Sequence, residues 1–357
     1  MPHSHTEFSS NNNFENTRNN VIVNALKKID RVVIASLVIL TSIWVFTPDQ
    51  LWSTITFVGD NLWEIFPYLM ISVLLAGYIK ATGADRLIGA AFRANANAAI
   101  MVAALVGAFS PFCSCGVVPL IAALLASGVP LAPVMAFLMA SPIIDPQMAI
   151  LTAGVLGTEF AIAKIAAAIL LGLMGGYLVV VVQKMGGFTD YLSQEVKAGC
   201  GTSSVTDTSK PVWKFWQVEG RTMAFFKESK STTFFLAKWL SVAFILEGLM
   251  IANMPMDQVG EWLTSVGNWS IPAAAMVGVP AYMNGYAGLP LADALIQMGL
   301  SKPAALSFMV AGGVTCIPAA VAVKALVKTP VFIAYLAVAA VGSLSVGFLY
   351  AGWLLFV

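Results

Sequence analysis

Two cysteines stand one residue apart in an apolar stretch that proline and glycine interrupt. Cys113 and Cys115 flank Ser114 within residues 110–119, which read Ser-Pro-Phe-Cys-Ser-Cys-Gly-Val-Val-Pro. Thiolates are soft ligands that suit Cu(I), Zn(II) and, by the same argument, trivalent arsenic. Non-helical backbone survives at membrane depth only where protein or a water-filled cavity surrounds it. The segment therefore predicts the lining of a transport site, and Cys113 and Cys115 are also the candidate metal ligands.

Other polar residues lie at breaks in apolar segments, notably in the sequences Ser-Pro-Ile-Ile-Asp-Pro and Gly-Gly-Val-Thr-Cys-Ile-Pro. Broken helices expose amides and carbonyls that can bind a solute, and helix ends add partial charges. A carboxylate inside an apolar segment is costly and normally faces a cavity or a partner, so it is a candidate for proton coupling. The candidate substrate-binding residues are Ser110, Cys113, Ser114, Cys115, Ser141, Asn284, Tyr286, Thr315 and Cys316, and the candidate coupling residues are Asp145, Glu247 and Asp293.

Several of these residues also have a purely structural interpretation. A buried cysteine can serve as a small hydrophobic residue, and for Cys316 this alternative stands beside the functional one. Glu247 and Asp293 can instead form ion pairs with Lys238 and Lys302. For Cys113 and Cys115, which lie in a helix break between two prolines, we favour function.

The composition is that of a membrane protein. Hydrophobic residues make up 59% of the 357 residues and charged residues only 10%, where a soluble domain has about 25%. The net charge of +1 argues against a nucleic-acid partner. The chain has neither a Walker phosphate-binding motif nor a His-Glu-x-x-His motif. We therefore expect no cofactor and no enzymatic activity, and an ion gradient, that of protons, as the energy source.

Apolar runs predict an all-α polytopic fold. Two regions, 97–127 and 268–298, are too long for one crossing and are interrupted midway, so we expect broken or re-entrant helical hairpins there. Basic residues before the first crossing place the N-terminus in the cytoplasm. The predicted crossings are 32–47, 62–79, 131–156, 159–183, 234–252, 303–324 and 330–355.

An internal repeat appears when the chain is aligned with itself at one constant offset without a gap. At the offset that places Val106-Gly107 on Val277-Gly278, Pro119 falls on Pro290 and Phe137 on Phe308. Cys113, Ser114 and Cys115 fall on Asn284, Gly285 and Tyr286, and Asp145 falls on Cys316. The charge distribution orients the two copies oppositely, so we predict two inverted-topology repeats whose site lies near the membrane midplane.

This repeat divides the chain into four parts, with one N-terminal crossing additional to the repeats. Residues 1–30 are predicted to form a disordered cytoplasmic tail. Residues 31–183 form the first membrane half, whose repeat covers 62–183. Residues 184–232 form a cytoplasmic linker with an interfacial amphipathic helix, and residues 233–357 form the second half.

The first-half motif resembles the ArsP-type family of predicted permeases. The resemblance lies in residues 107–119, then Gly128-Val129-Pro130, then the Phe-containing stretch 136–142 that ends in Ser-Pro, and it extends over roughly residues 60–355. It implies a multi-pass permease of the bacterial inner membrane with Cys113 and Cys115 as the thiol pair. Some members export trivalent organoarsenicals, and related subgroups are associated with copper or zinc efflux.

The leading hypothesis is a secondary, proton-coupled exporter of a small soft metalloid or thiol-reactive solute such as a trivalent organoarsenical. Its partners would be that solute and the lipid bilayer, while the sequence leaves the oligomeric state open. The alternatives within transport are efflux of copper or zinc and uptake of a small sulfur-containing anion. A membrane thiol-disulfide oxidoreductase is a further alternative, although such enzymes typically carry Cys-x-x-Cys, which this chain lacks.

Overall fold

A computed structural model describes most of the apolar part of the chain. The described residues are 31–82, 95–110, 117, 120–122, 124–125, 128–188, 191, 215–218, 221–253, 256–279, 285–315, 320, 323–324 and 326–356. The predicted N-terminal tail and most of the predicted linker lie outside this part.

The described residues are almost entirely α-helical, as the apolar runs predict. Short 3₁₀ turns cover Phe215–Gln217 and Gly267–Trp269. The α-helices, numbered along the chain, are α1 (Arg31–Phe46), α2 (Pro48–Thr82), α3 (Ala96–Ala108), α4 (Leu131–Ala140), α5 (Pro146–Val155), α6 (Thr158–Lys184), α7 (Arg221–Asn253), α8 (Met256–Ser265), α9 (Ser270–Gly278), α10 (Gly285–Gln297), α11 (Lys302–Val314) and α12 (Thr329–Leu354).

Among the described helices, α6 and α12 are each long and apolar enough to cross a membrane alone. They span 27 and 26 residues, more than the roughly 20 that a bilayer core requires. Their outward faces are apolar as well as their inward faces, since Ile162, Val181, Ile333, Val341 and Leu349 are all more than half exposed. A helix that is apolar all round is typical of a membrane environment. The helices α3 and α4 are apolar but shorter, at 13 and 10 residues.

The stretch 131–156, predicted as one crossing with a breaker-containing segment at 141–146, forms two helices separated at that segment. Pro142 and Pro146 each lack the backbone N–H that an uninterrupted helix would need. Helix α4 therefore ends at Ala140, and α5 begins at Pro146 after a short non-helical segment.

Helices α2 and α7 are longer than the predicted crossings 62–79 and 234–252. Pro48 starts α2, a position where proline fits because the first helical N–H has no partner. Helix α7 starts at Arg221 and meets no glycine or proline before Gly248. Residues 221–232, expected within a separate interfacial helix, thus form the first turns of α7.

Two helix trios share one set of contacts. Helix α4 packs against α3 and α6, and α11 packs against α9 and α12 in the same way. A methyl group placed on Gly107 would lie 2.9 Å from the Phe137 carbonyl oxygen and 3.0 Å from Ala140 Cβ. On Gly278 it would lie 2.6 Å from the Phe308 carbonyl oxygen and 3.0 Å from Ala311 Cβ. Gly278, Phe308 and Ala311 are the counterparts of Gly107, Phe137 and Ala140 in the repeat. Both helix pairs therefore need glycine for the same steric reason.

Equivalent helices of the two halves also meet each other, and they do so antiparallel. In α2 and α7, Gly77 lies against Phe225 and Ser229, whereas Gly248 lies against Thr54 and Phe57. The late residue of α2 thus contacts early residues of α7, and the late residue of α7 contacts early residues of α2, so the two helices run antiparallel.

The α6–α12 pair is arranged in the same way. Gly342 lies against Leu171, its own counterpart in the repeat. The Phe160 ring lies edge-on to the Tyr350 ring with centroids 6.0 Å apart. An earlier residue of α6 thus contacts a later residue of α12, so these two helices also run antiparallel.

Candidate functional site

The first helix break ends in a capped helix start. Asp145 precedes Pro146 at the beginning of α5, and its Oδ1 accepts a hydrogen bond of 2.7 Å from the Met148 backbone N–H. Aspartate is a favoured N-cap because its carboxylate satisfies an otherwise unpaired N–H group and interacts favourably with the positive end of the helix dipole. Asp145 is therefore held in a fixed place at the break, only partly buried in an otherwise apolar region.

The second helix break lies at the end of α11. The Thr315 hydroxyl is within hydrogen-bonding distance of two carbonyl oxygens, at 2.8 Å from Ala311 and 3.1 Å from Val279. The hydroxyl of the fully buried Tyr335 on α12 donates to the Val314 carbonyl. The contacts to Val279 and Val314 satisfy carbonyl groups of the kind that a helix end leaves without partners, whereas the Ala311 carbonyl also accepts from the Thr315 backbone N–H at 3.1 Å. They also connect the end of α11 to Val279, the residue that follows α9.

The two breaks meet each other. A methyl group placed on Gly313 would lie 3.2 Å from the Pro142 carbonyl oxygen, so these backbones are in direct contact. Pro142 belongs to the first half, and Gly313 is its counterpart in the second half. The sequence predicted a breaker-containing segment at each of these positions, and the structure places the two side by side.

The segment that carries the thiol pair begins beside the first break. Gly107 near the end of α3 lies against Ala140, the residue that precedes the break. Ser110 follows α3, is buried and is the last described residue before the cysteines. Cys113, Ser114 and Cys115 themselves lie outside the described residues, as do Asn284 and Cys316.

Two buried hydroxyls near this region have no hydrogen-bond partner within the described residues. They are Ser141 Oγ, at the start of the break, and Thr152 Oγ1, on α5. A buried polar group without a partner costs about 1–3 kcal/mol, so native proteins keep few of them. Such groups are typical of sites where a solute or water binds.

Sequence reasoning missed Lys164, which lies in this apolar region on α6. Only 2% of its surface is exposed. The signal was available, because Lys164 is the only charged residue between Glu159 and Lys184 in a helix otherwise rich in alanine and leucine. An intramembrane lysine is a candidate functional residue by that fact alone.

The other predicted coupling residues are less informative. Asp293 on α10 is partly exposed, and its Oδ2 accepts a 2.8 Å hydrogen bond from Gln297 Nε2. Glu247 lies on α7 and Tyr286 on α10, but their side chains are outside the described part. Within that part, no three histidine, cysteine or acidic side chains cluster closely enough to hold a metal ion. The metal site predicted on Cys113 and Cys115, which lie outside that part, stays a prediction.

An apolar helical chain in which two broken helices meet is the arrangement expected of a membrane transporter. Comparison with known proteins agrees. Residues 50–352 match the family ArsP_1, described as a predicted permease, and the chain belongs to this family. The resemblance noted from the motif at 107–142 is thus confirmed.

Curated relatives match over shorter segments. The UPF0718 protein YcgR of Bacillus subtilis is 36% identical over 83 residues, which is 23% of this chain and 28% of YcgR. The UPF0718 protein MJ0584 of Methanocaldococcus jannaschii is 29% identical over 142 residues, which is 40% of this chain and 39% of MJ0584.

A protein of Streptococcus mutans, named as a putative subunit of a two-component membrane permease complex, is 27% identical over 122 residues, covering 32% of this chain and 40% of that protein. The chain thus matches less than half the length of each of these relatives. No solved structure matches it.

Proposed function

We propose that this permease is a secondary, proton-coupled exporter of a small soft metalloid or thiol-reactive solute, such as a trivalent organoarsenical, in the bacterial inner membrane. The observation that carries this proposal is the contact between the two helix breaks at Pro142 and Gly313, beside Asp145. A transporter needs irregular backbone at the interface of two halves, because there the polar groups of the break can face a solute rather than lipid.

The proposed halves have opposite orientations in the membrane. The antiparallel contacts within the α2–α7 pair and within the α6–α12 pair support this arrangement, because each pair then crosses the membrane in both directions. In an inverted repeat the site lies where the halves face each other, near the midplane. The N-terminus is proposed to lie in the cytoplasm, with α1 as the additional crossing.

The substrate class rests on the thiols. Cys113 and Cys115 follow α3, whose end lies against Ala140 at the first break, and Cys316 directly follows Thr315 at the second. The three thiols thus belong to segments that follow helices ending near the contact between the two breaks. Thiols are soft ligands, which select trivalent arsenic or Cu(I) over hard cations. The remaining proposed substrate-binding groups are Ser110, Ser114, Ser141, Asn284, Tyr286 and Thr315, and the proposed coupling carboxylates are Asp145, Glu247 and Asp293.

The experiment uses a bacterial strain without arsenic, copper and zinc pumps and everted membrane vesicles prepared from it. We expect the wild-type protein to protect cells against methylated trivalent arsenic and to accumulate it in everted vesicles when respiration supplies a proton gradient. Cys113→Ser and Cys115→Ser should reduce transport more than they reduce the amount of folded protein. The matched control is Cys200→Ser, because Cys200 lies in a polar stretch of the chain and should not affect transport.

The other outcomes separate the alternatives. Protection against copper or zinc alone would favour efflux of those metals. Uptake of a sulfur-containing anion into intact cells would reverse the proposed direction. Absence of any transport, together with reversible oxidation of Cys113 and Cys115, would favour the oxidoreductase. Equal losses of transport and of folded protein in the cysteine variants would indicate that the thiols contribute to packing and not to substrate binding.

A further inference from the structure

Helices α2 and α7, one from each half, are counterparts in the repeat and contact each other reciprocally. At the offset of the repeat they end at equivalent residues. Gly77 of α2 lies against Phe225 of α7, and the counterparts of these two residues, Gly248 and Thr54, also lie against each other. The pair therefore has approximate two-fold symmetry, and its two ends can be compared residue by residue.

The two ends of the α2–α7 pair are packed differently. At the end where α2 finishes, a methyl group placed on Gly77 would lie 2.8 Å from Ser229 Oγ. At the opposite end, a methyl group placed on Gly248 would have the Phe57 ring as its nearest described neighbour, at 3.3 Å. The two helices thus approach each other more closely where α2 finishes and α7 begins.

A buried arginine reinforces this closer end. Arg221 is 8% exposed, and its Nη1 donates to the backbone carbonyls of Ala81 at 3.0 Å and Thr82 at 3.4 Å. Both carbonyls belong to the last turn of α2, which leaves carbonyl groups without partners in the helix and carries a partial negative charge. Arg221 is also the first residue of α7, where a positive charge is unfavourable for its own helix. Its contact with α2, and not its own helix, therefore accounts for its position.

The opposite end carries no charge at the equivalent position. The counterpart of Arg221 is Gln50, in the first turn of α2. Gln50 Oε1 is buried and has no hydrogen-bond partner among the described residues. Hydrogen bonds from a charged group are stronger than those between neutral groups, and arginine keeps its charge under all physiological conditions. Separating α2 from α7 at the Arg221 end is thus costly, because it would deprive a buried guanidinium of these acceptors.

We propose that Arg221 holds the two halves together at its end of the α2–α7 pair throughout the transport cycle, and that the halves separate at the Gln50 end. This inference rests on the proposed function and adds to it the part of the interface that stays closed. In the proposed orientation α1 and α2 cross the membrane in turn from a cytoplasmic N-terminus, so the Arg221 end is cytoplasmic and the Gln50 end is the outer one. Arg221 is a positioning residue, because it acts through the contact between helices and not on the substrate.

Disulfide bridges test which end separates. Gly77→Cys with Ser229→Cys bridges the Arg221 end, and Gly248→Cys with Thr54→Cys bridges the outer end, where the added Cβ would lie 3.7 Å from Thr54 Cγ2. Exchange of methylated trivalent arsenic is measured in proteoliposomes before and after oxidation, and the wild type is treated alike because the native cysteines remain. We expect oxidation to leave exchange unchanged in the first variant and to abolish it in the second until a phosphine reductant is added. Loss of exchange in the first variant, or exchange retained in the second, would overturn the proposal.

The role of Arg221 is tested by rescue. Arg221→Gln gives this end the residue of the outer end, and we expect it to lower exchange per folded molecule several-fold, because both ends can then separate. The disulfide between positions 77 and 229 should restore exchange in this variant, since it holds the same end by other means. The disulfide between positions 54 and 248 should not. A loss of exchange that the first bridge leaves unchanged would show that Arg221 does not act by holding the helices together.

A measurement without substrate applies even if the cysteine variants do not fold, and it separates this proposal from the proposed substrate. Genetically encoded spin labels replace the exposed Leu75 and Met223 near the Arg221 end, or the exposed Trp52 and the partly exposed Leu249 near the outer end. Pulsed electron paramagnetic resonance in lipid nanodiscs should give one narrow distance distribution at the Arg221 end and two populations at the outer end. If the wild type transports no arsenical but the ends differ in this way, the proposed substrate fails and the fixed end stands. Equal distributions at both ends would overturn the fixed end whatever the substrate is.

Discussion

Adding a single methyl group at the junction of the two breaks should alter transport more than stability. In Gly313→Ala the new Cβ would lie 3.2 Å from the Pro142 carbonyl oxygen, slightly closer than the ordinary contact distance of 3.4–4 Å. A few tenths of an ångström of movement between the breaks relieves this contact. We therefore expect a stability cost near the lower end of the range for overpacking, which is about 1–3 kcal/mol.

The same small energy has a large effect on transport if it falls on only one of the conformations that alternate. A difference of about 1.4 kcal/mol shifts an equilibrium by a factor of about 10. Since the Pro142–Gly313 contact joins the two halves, Gly313→Ala biases their relative position. We expect the rate of substrate exchange per folded molecule in proteoliposomes to change several-fold.

Two matched glycines supply the controls. In Gly278→Ala the methyl would lie 2.6 Å from the Phe308 carbonyl oxygen, a closer clash, but between two helices of the same half. It should lower the midpoint of thermal unfolding more than Gly313→Ala and leave exchange by the remaining folded protein unchanged. In Gly154→Ala the methyl would meet no atom within 4 Å among the described residues outside its own stretch of helix, and replacing a helical glycine by alanine stabilises by about 0.5–1 kcal/mol. If Gly313→Ala behaves like Gly154→Ala in both assays, the junction of the breaks is not part of the transport path.

Two further predictions concern the hydrogen bonds at the breaks, and thermal unfolding in detergent measures both. Asp145→Ala should be less stable than Asp145→Asn by about 1 kcal/mol, because both lose the charge and only alanine also loses the N-cap; equal midpoints would mean that the cap contributes nothing. Thr315→Val and Tyr335→Phe should each cost about 1–3 kcal/mol, since each leaves a carbonyl at a helix end, that of Val279 or Val314, without the hydroxyl that donates to it. The control is Ser345→Ala, which removes an exposed hydroxyl that is hydrogen-bonded within its own helix, and its stability should stay within about 0.5 kcal/mol of the wild type. If Ser345→Ala loses as much stability as the buried variants, burial of the hydrogen bond does not explain their loss.

The helix breaks were predictable because proline acts locally. The sequence Ser-Pro-Ile-Ile-Asp-Pro contains a proline that cannot extend α4 and an Asp-Pro pair that favours the start of α5, so both boundaries follow from neighbouring residues. The break after α11 was likewise predicted from Gly312-Gly313 and Pro318, and α11 ends at Val314. The gapless alignment of the chain with itself also paired the glycines at 107 and 278, whose close contacts recur in the structure.

Helix lengths were less predictable, since hydropathy measures where apolar residues begin and not where a helix does. Helix α2 starts at Pro48, and α7 at Arg221, each well before the apolar run that signalled it. The polar first turns of α7 pack against α2, where buried Arg221 donates to the carbonyl of Ala81 at 3.0 Å. The two residues are far apart in the chain, and no local pattern encodes their contact.

Lys164 shows why the candidate site could be found only in part. Averaged over the 27 residues of α6, one lysine barely lowers the hydropathy, and the predicted crossing 159–183 absorbed it. Its significance lies in its burial, which follows from the packing of α6 against the neighbouring helices. Asp145 was predicted to couple transport on the basis of its own position, but a carboxylate fixed as a helix cap already has one favourable interaction in its charged form. The lysine is 2% exposed, and this burial depends on packing between helices that are distant in the chain, which hydropathy does not encode.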